Sequence, residues 1–158
     1  MSFSISSEIL DPLEDHVRCY GRIDVESGGF LLGPYESPTI TVLALAEGVG
    51  VERSRGCFRV SGRAIERLFD FADAQGLRVW AQVHAHPRES FLSETDERDG
   101  FRVEGFLSGV IPNFAAPPRQ PQQWRWWIFT DGTWQAVAAP SAAPAPGRVV
   151  TFDEAGVQ

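Results

Sequence analysis

The sequence predicts a single α/β (or α+β) domain in which a central mixed β-sheet is flanked by helices. Segments with apolar residues at helical spacing alternate with short apolar or alternating segments that are typical of strands. The chain has 158 residues, of which 43% are hydrophobic, enough to build one core without disulfides. The pair Asp131-Gly132 between two apolar segments indicates a tight β-hairpin.

The first half of the chain predicts two helices and two strands. Apolar residues recur at helical spacing at Ile9, Leu13 and Val17. Gly76 follows the second predicted helix, at a position that often takes a left-handed backbone conformation. The expected elements are a helix from Ser6 onward, strands at 28–33 and 39–46, an irregular loop at 47–56 and a helix at 61–75.

The second half is expected to contain the central strand and a hairpin. The expected elements are a strand at 78–86, a short helix or loop after Asp96, a strand at 106–112, a surface loop at 115–123 and the hairpin at 124–137. The hairpin tryptophans are expected to fill the core or pack at an edge. Residues 138–158 are predicted to be an Ala/Pro-rich flexible tail, so the domain is assigned to residues 1–137. Within this tail, Val149 to Phe152 either adds a final contact or is disordered.

Charge and composition exclude several classes of partner. The net charge is -7, which opposes attraction to phosphate groups, so we expect no nucleic-acid partner. No apolar stretch approaches eighteen residues and no N-terminal signal is evident, so we expect no membrane partner and a cytoplasmic location. Cys19 and Cys57 lie far apart in the sequence and are expected to be reduced thiols.

Two histidines, an aspartate and the more distant Glu26 form a candidate metal site. His84 and His86 lie two residues apart in a predicted strand, so their side chains point to the same face of the sheet. Pro87 cannot continue a central strand, and the loop after it can return Asp96 toward the histidines. Zinc prefers imidazole nitrogen and carboxylate oxygen, and a catalytic zinc keeps three protein ligands and one open position. We therefore expect His84, His86 and Asp96 to be zinc ligands.

These residues also have an ordinary structural interpretation. Two histidines in a strand can be core residues with satisfied hydrogen bonds, and the acidic residues can belong to a solvated loop. Glu26 precedes an apolar stretch and can be a charged strand end. The metal site is favoured because a proline, a serine, an aspartate and the distant glutamate all fall where a hydrolytic site needs them.

Three segments of the chain resemble the JAB/MPN metalloprotease family, whose members carry a JAMM motif and include deubiquitinating isopeptidases and their bacterial relatives. The segments are ESGGFLLG, which begins at Glu26, HAHP at 84–87 and FLSETD at 91–96. Their order matches that of the family motif, and the resemblance covers residues 5–137. It implies an MPN/JAB-like single domain with a mixed central sheet.

The resemblance also implies a role for each site residue. Glu26 would be the general base, which takes a proton from the attacking water and later gives one to the departing amine. His84, His86 and Asp96 would bind the Zn²⁺ cofactor. Ser93 takes the place of the serine that stabilises the oxyanion.

The loop between the second histidine and the aspartate departs from the family pattern. The family usually has ten residues there, whereas residues 87–95 make nine. Ser93 and Asp96 keep the Ser-x-x-Asp spacing, which places the missing residue around 88–90. Asp96, rather than Asp99, therefore stays the expected ligand.

The implied activity is that of a zinc-dependent isopeptidase or peptidase that cuts the amide bond after the C-terminus of a ubiquitin-like protein, in deconjugation or precursor processing. The implied partners are that protein or its conjugates, together with the activating and conjugating enzymes of the same pathway. In family members an extended tail often pairs with a strand near the site. The expected strand here lies within 47–58, with Arg53 and Arg55 able to meet acidic groups of the substrate.

Two alternatives stay open. A catalytically silent MPN scaffold or binding module would keep the fold without hydrolysis, and its mark would be a lost ligand. A peptidase acting on a sulfur-carrier protein would remove residues from the carrier to expose Gly-Gly. The sequence does not separate this second activity from that of an isopeptidase.

Overall fold

A computed structural model describes residues 2–158 as an eight-stranded mixed sheet with helices on both faces, which confirms the predicted fold class. The helices are α1 (Leu10–Gly21), α2 (Gly62–Gln75) and α3 (Glu94–Asp99). Within residues 2–158, none of them is both long and apolar enough to cross a membrane. The strands are β1 (Ser4–Ser6), β2 (Gly28–Pro34), β3 (Thr39–Ile40), β4 (Val42–Ala46), β5 (Val51–Ser54), β6 (Cys57–Val60), β7 (Leu77–Ala85), β8 (Leu107–Ile111), β9 (Arg125–Thr130), β10 (Thr133–Val137), β11 (Ser141–Ala143), β12 (Arg148–Asp153) and β13 (Gly156–Val157).

The histidine-bearing strand β7 lies inside the main sheet. The strand order is β10-β9-β8-β7-β2-β4-β12-β13. β7 pairs antiparallel with β2 and parallel with β8, so it is supported on both sides. Two smaller sheets complete the fold, one with the order β11-β1-β3 and the other a β5–β6 hairpin.

Side-chain alternation along the central strands gives each face of the sheet its own apolar cluster. Leu13 of α1 belongs to the cluster on one face, and Leu68 of α2 belongs to the cluster on the other. Phe30 of β2 is in the α2 cluster and pairs with Gln82, two residues before His84. Because paired residues share a face, His84 emerges on the α2 side of the sheet.

Local signals in the sequence set two of the predicted boundaries. The Ser61 side chain accepts a hydrogen bond from the backbone N–H of Ala64 at the start of α2, and Gly76 ends this helix at φ 68°. Asp131 and Gly132 have φ values of 52° and 78°, which a two-residue turn of the mirror-image type requires. The predicted helix end and hairpin are therefore confirmed.

Two segments near the site differ from the sequence prediction. The predicted loop at 47–56 contains β5, which pairs with β6 through a two-residue turn. Charged residues at 52 and 53 obscured the strand pattern. The first helix starts only at Leu10, because Ser4–Ser6 forms a strand and Ser6 accepts the backbone N–H of Glu8 in a short 3-10 turn.

The prediction of a flexible tail at 138–158 was wrong, and the alternative that Val149 to Phe152 adds a final contact is confirmed. β12 pairs in parallel with β4 over five residues, from Arg148 to Phe152, and β11 pairs with β1. The Phe152 side chain is 1% exposed and its ring lies 5.8 Å from that of Phe30. Proline and alanine dominate the composition of this segment and concealed the strand in it. The folded unit therefore extends past residue 137.

We expect deletion of residues 138–158 to destabilise the protein by more than the single change Phe152→Ala. Truncation of a buried phenylalanine costs about 3–5 kcal/mol, and the deletion also removes the strand that covers the edge of β4. Denaturant unfolding of the two variants measures both effects. Val149 is 38% exposed, so Val149→Ala serves as the control. A deletion variant with an unchanged free energy of unfolding would contradict the assignment of this segment to the fold.

Candidate metal centre

The rings of His84 and His86 face each other at the end of β7. Their Nε2 atoms are 3.1 Å apart, and the two residues are 5% and 4% exposed. The backbone N–H of His86 donates to the Ile111 carbonyl at 2.9 Å, which anchors the chain to the end of β8 just after β7 ends. Oδ2 of Asp96 lies 3.3 Å from Nε2 of His84 and 3.4 Å from Nε2 of His86. The predicted trio therefore converges on one point.

The spacing of these three atoms fits a tetrahedral metal ion. Zinc–ligand bonds of about 2.0–2.1 Å give a separation of about 3.3–3.4 Å between neighbouring ligand atoms of a tetrahedron. The two separations from Asp96, 3.3 and 3.4 Å, match this value, and the separation of 3.1 Å between the histidine nitrogens is slightly shorter. Two imidazole nitrogens and a carboxylate oxygen are also a donor set of the kind that a catalytic zinc uses.

Glu26 stands beside the trio. Its carboxylate and the two histidines offer ligand atoms within 4.8 Å of one another, and the residue is 5% exposed. Its backbone N–H donates to the Ser54 carbonyl at 2.8 Å, which ties it to the β5–β6 hairpin. Burial raises the pKa of Glu26 to about 7, an effect that His86 opposes and Asp96 reinforces. Such a carboxyl group can both accept and release a proton near neutral pH.

Two ligand sets are conceivable, because either acid could join the histidines. Oδ2 of Asp96 lies within 3.4 Å of the Nε2 atoms of both histidines. The ligand atoms of Glu26 and the two histidines lie within 4.8 Å of one another. Burial raises the pKa of Asp96, but hydrogen bonds with His84 and His86 outweigh burial and hold it well below its usual range. A ligand must be deprotonated, so Asp96 suits the ligand position and Glu26 suits proton transfer.

The capping box of α3 fixes Asp96 and Ser93 relative to each other. The backbone N–H of Asp96 donates to Ser93 Oγ at 3.0 Å, and the backbone N–H of Ser93 donates to Asp96 Oδ2 at 3.0 Å. Asp96 lies in the first turn of α3, which begins at Glu94 and so starts earlier than the helix or loop expected after Asp96. As an acceptor in the cap, the Ser93 hydroxyl keeps its own proton for donation to another group.

Asp99 is not placed to bind the metal. It is exposed and contacts two arginines: its Oδ2 lies 3.3 Å from Arg59 and its Oδ1 lies 3.1 Å from Arg98. The shorter loop thus still brings Asp96, and not Asp99, to the histidines.

Gly28 allows β2 to approach the histidine strand closely. A Cβ atom at this position would lie 2.2 Å from the Val83 carbonyl oxygen and 2.9 Å from the Cα of His84. Any larger residue must therefore push β7 away at the metal site.

We expect Gly28→Ala to lower the free energy of unfolding by about 1–3 kcal/mol, the usual cost of overpacking, and to weaken metal binding because His84 moves. Denaturant unfolding and metal titration measure the two effects. Gly56→Ala is the matched control, since a Cβ there would meet no atom within 4 Å. Equal behaviour of the two variants would show that the close approach at Gly28 is unimportant.

Arg53 does not line either pocket at the metal centre, so its contact with a substrate stays a prediction. Its side chain is only 12% exposed, its guanidinium lies 3.9 Å from the centre of the Tyr20 ring, and it contacts Glu47 at 3.5 Å. It also donates to the Ala46 carbonyl. Alternation along β5 turns this residue toward α1, where these contacts hold it.

Arg55 lies at the tip of the hairpin, pairs with Asp24, and remains about half exposed. It lines an open pocket of about 510 Å³ that also contains Glu26, His86 and Ser93. Phe91 forms part of the same pocket, with its ring centre 4.6 Å from that of His86. The sequence prediction missed Phe91, and only its place in the loop between the ligands could have indicated it.

Gln82 and Ser108 were also missed. Both line a second pocket that includes Glu26, His84 and Asp96. The position of Gln82, two residues before His84, was a usable signal, since the two side chains share a face. Ser108 joins the site only through the pairing of β8 with β7, which the sequence does not reveal.

Comparison with known proteins gives a local sequence match and a fold. No protein-family model matches the sequence. The chain is 38% identical over 65 residues to the "Probable metalloprotease y4jG" of Sinorhizobium fredii. This match covers 39% of the chain and spans 39% of the length of that relative.

Solved structures share the fold at low sequence identity. Protein DSY2949 from Desulfitobacterium hafniense has a TM-score of 0.64 at 12% identity, covering 96% of this chain and 93% of that one. A protein from Salinibacter ruber has a TM-score of 0.59 at 20% identity, covering 91% and 94%. AF2198, a JAB1/MPN domain protein from Archaeoglobus fulgidus, has a TM-score of 0.49 at 16% identity, covering 89% and 97%, which is too low to assign the fold. The chain thus shares a fold with the first two proteins and a local sequence match with a probable metalloprotease.

Proposed function

We propose that this chain is a zinc metallopeptidase of the JAB/MPN family that hydrolyses the amide bond after the C-terminus of a ubiquitin-like protein. The observation that carries the proposal is the triangle of His84, His86 and Asp96 with Glu26 beside it. The local match to a probable metalloprotease and the JAMM-like order of these residues support the same chemistry. The ubiquitin-like substrate rests on the family resemblance.

Each residue of the site has a separate role in amide hydrolysis. His84, His86 and Asp96 would hold Zn²⁺, which supplies an activated water at neutral pH and polarises the carbonyl under attack. The Glu26 carboxylate accepts the proton of the attacking water and passes a proton to the departing amine. The Ser93 hydroxyl donates to the oxyanion, from a position fixed by the capping box of α3.

The free edge of β6 offers a place for an extended substrate segment. β6 pairs only with β5 among residues 2–158, and its residues Cys57–Val60 line the pocket that reaches Glu26 and Asp96. The Ser54–Cys57 pair closes the two-residue turn. Because hydrogen-bonded and non-hydrogen-bonded pairs alternate along an antiparallel ladder, the backbone N–H and C=O groups of Phe58 and Val60 point away from β5. A substrate strand added at this edge would lie between β6 and α3, as in other cases of strand addition.

Cleavage of defined substrates tests the proposal. Zinc-loaded protein is incubated with linear fusions and with lysine-linked conjugates of a ubiquitin-like protein from the same organism, and the products are identified by mass spectrometry. The proposal predicts cleavage directly after the ubiquitin-like C-terminus, and loss of that cleavage in Glu26→Gln.

The substrates also separate the alternatives. Cleavage of linear fusions alone favours a processing peptidase, such as one acting on a sulfur-carrier protein. Stoichiometric zinc binding without cleavage of either substrate would overturn the proposed activity and favour a scaffold. A gene neighbourhood containing activating and conjugating enzymes would support the proposed partners.

A further inference from the structure

A pocket of about 110 Å³ lies next to the metal centre, between β6 and α3. Glu26, His84 and Asp96 form part of its wall, so a group bound in it lies against the reacting atoms. It shares Glu26, Gly56 and Asp96 with the open pocket around Phe91, which lies on the His86 side. A substrate segment that pairs with the free edge of β6 would pass over this pocket and could place one side chain in it.

Two polar side chains in this pocket have no hydrogen-bond partner within the described part of the chain. Gln82 and Ser108 are neighbours on the paired strands β7 and β8, on the same face as His84. Ser108 is only 7% exposed. Neither side chain forms a hydrogen bond with any other group in residues 2–158. Gln82 is half-buried, and both side chains line the pocket, so their polar groups are available for a ligand.

The rest of the wall is mainly apolar. Phe30, Ile65, Phe101 and Phe106 contribute to it. With Zn²⁺ bound, the charges of the ion and of Arg59 would offset those of the carboxylates of Glu26, Asp96 and Asp99, so the pocket favours neither an anion nor a cation. A ligand group that satisfies these surroundings is neutral, has an apolar body, and can form hydrogen bonds at its end.

We propose that this pocket is a specificity subsite for a carboxamide side chain, that of glutamine or asparagine, on the substrate segment beside the scissile amide. This inference rests on the proposed peptidase function. The Gln82 carboxamide can exchange two N–H···O hydrogen bonds with such a group, and the Ser108 hydroxyl can supply a third. The side chain of glutamine has fewer heavy atoms than benzene, which an apolar cavity of about 150 Å³ accommodates, so it suits a pocket of about 110 Å³.

Selectivity follows from the polar groups of the pocket. An apolar side chain of similar shape would bury Gln82 and Ser108 without partners. Sites built to hydrogen-bond a substrate group strongly reject analogues that lack it. We therefore expect the pocket to bind a carboxamide at least about tenfold more tightly than an apolar isostere.

Binding of two small probes tests the subsite independently of catalysis. N-acetylglutamine methylamide and N-acetylleucine methylamide are titrated into zinc-loaded protein, and the side-chain amide signals of Gln82 are followed by NMR. The inference predicts at least tenfold tighter binding of the glutamine probe and a shift of the Gln82 signals. In Ser108→Ala the preference is expected to fall. In Gln82→Leu, followed through backbone amide signals, the leucine probe is expected to bind more tightly.

Gln135→Leu is the matched control, because it makes the same change on the exposed strand β10 and should leave the preference intact. Equal affinity for the two probes, absence of binding for both, or a preference that survives Ser108→Ala and Gln82→Leu would overturn the subsite. A protein that shows the preference but cleaves no peptide refutes the proposed function and leaves the subsite standing. A protein that cleaves peptides without this preference refutes the subsite alone.

Discussion

Replacement of Glu26 by glutamine is expected to reduce amide hydrolysis by about a hundred- to ten-thousandfold, the usual contribution of a general acid-base group. Glutamine keeps the size of the side chain but cannot accept the water proton. The zinc content should stay at one ion per chain, because Glu26 is assigned to proton transfer and not to the ligand triangle. Initial rates on the cleaved substrate and metal analysis of the purified variant measure the two quantities.

The pH dependence of the rate gives a second readout for Glu26. Burial is the main cause of the raised pKa of the Glu26 carboxyl group. A glutamine at this position is buried in the same way but has no group that titrates. Residual hydrolysis in the variant should therefore lose the acidic limb of the profile that depends on this carboxyl group. Turnover equal to that of the wild type would remove Glu26 from the mechanism. Loss of zinc together with activity would move Glu26 into the ligand set.

Loss of any one member of the ligand triangle is expected to weaken zinc binding by at least about a hundredfold. Mutation of a residue that only hydrogen-bonds to a metal ligand typically lowers metal affinity by about 10–100-fold, and loss of a ligand itself costs more. His84→Ala, His86→Ala and Asp96→Asn each remove one corner of the triangle. Competition with a chelator of known affinity measures the effect. Zinc should also raise the unfolding temperature of the wild type and leave that of the variants nearly unchanged.

Ser93→Ala is the matched control for Asp96. It removes the hydroxyl that accepts the Asp96 N–H in the cap, while the carboxylate that faces the histidines remains. We expect a loss of about 1 kcal/mol of stability from the cap and a lower hydrolytic rate, with zinc retained. A Ser93→Ala variant that loses zinc as fully as Asp96→Asn would show that α3, and not the carboxylate, determines binding.

The metal site could be predicted from the sequence because its chemistry is encoded by short spacings. His84 lies in β7 and His86 directly follows this strand, and their rings converge as the i, i+2 spacing predicts. Ser93 and Asp96 form a capping box as residues i and i+3 of a helix start. Glu26 required the family resemblance, since nothing within its own segment indicates that β2 starts beside β7.

The tertiary pairings were not predictable in the same way. β12 is six residues long and pairs with β4 across about a hundred positions of sequence, and its neighbours are rich in proline and alanine. Arg53 lies on the less exposed side of β5, between two exposed residues. The sequence did not predict this strand, so the packing of Arg53 against Tyr20 was missed. Ser108 lies beside Gln82, on the same face as His84, only because β8 pairs with β7. Long-range strand pairing decides all three.

The most direct test of the metal centre is X-ray absorption on the zinc-loaded protein, combined with anomalous diffraction from its crystals. The account predicts one zinc ion per chain, bound by the imidazoles of His84 and His86 and by one oxygen of Asp96, at about 2.0–2.2 Å. Glu26 should lie outside bonding distance of the ion, on the side of the open position. Zinc found elsewhere on the chain, or bound without the two histidines, would contradict the account.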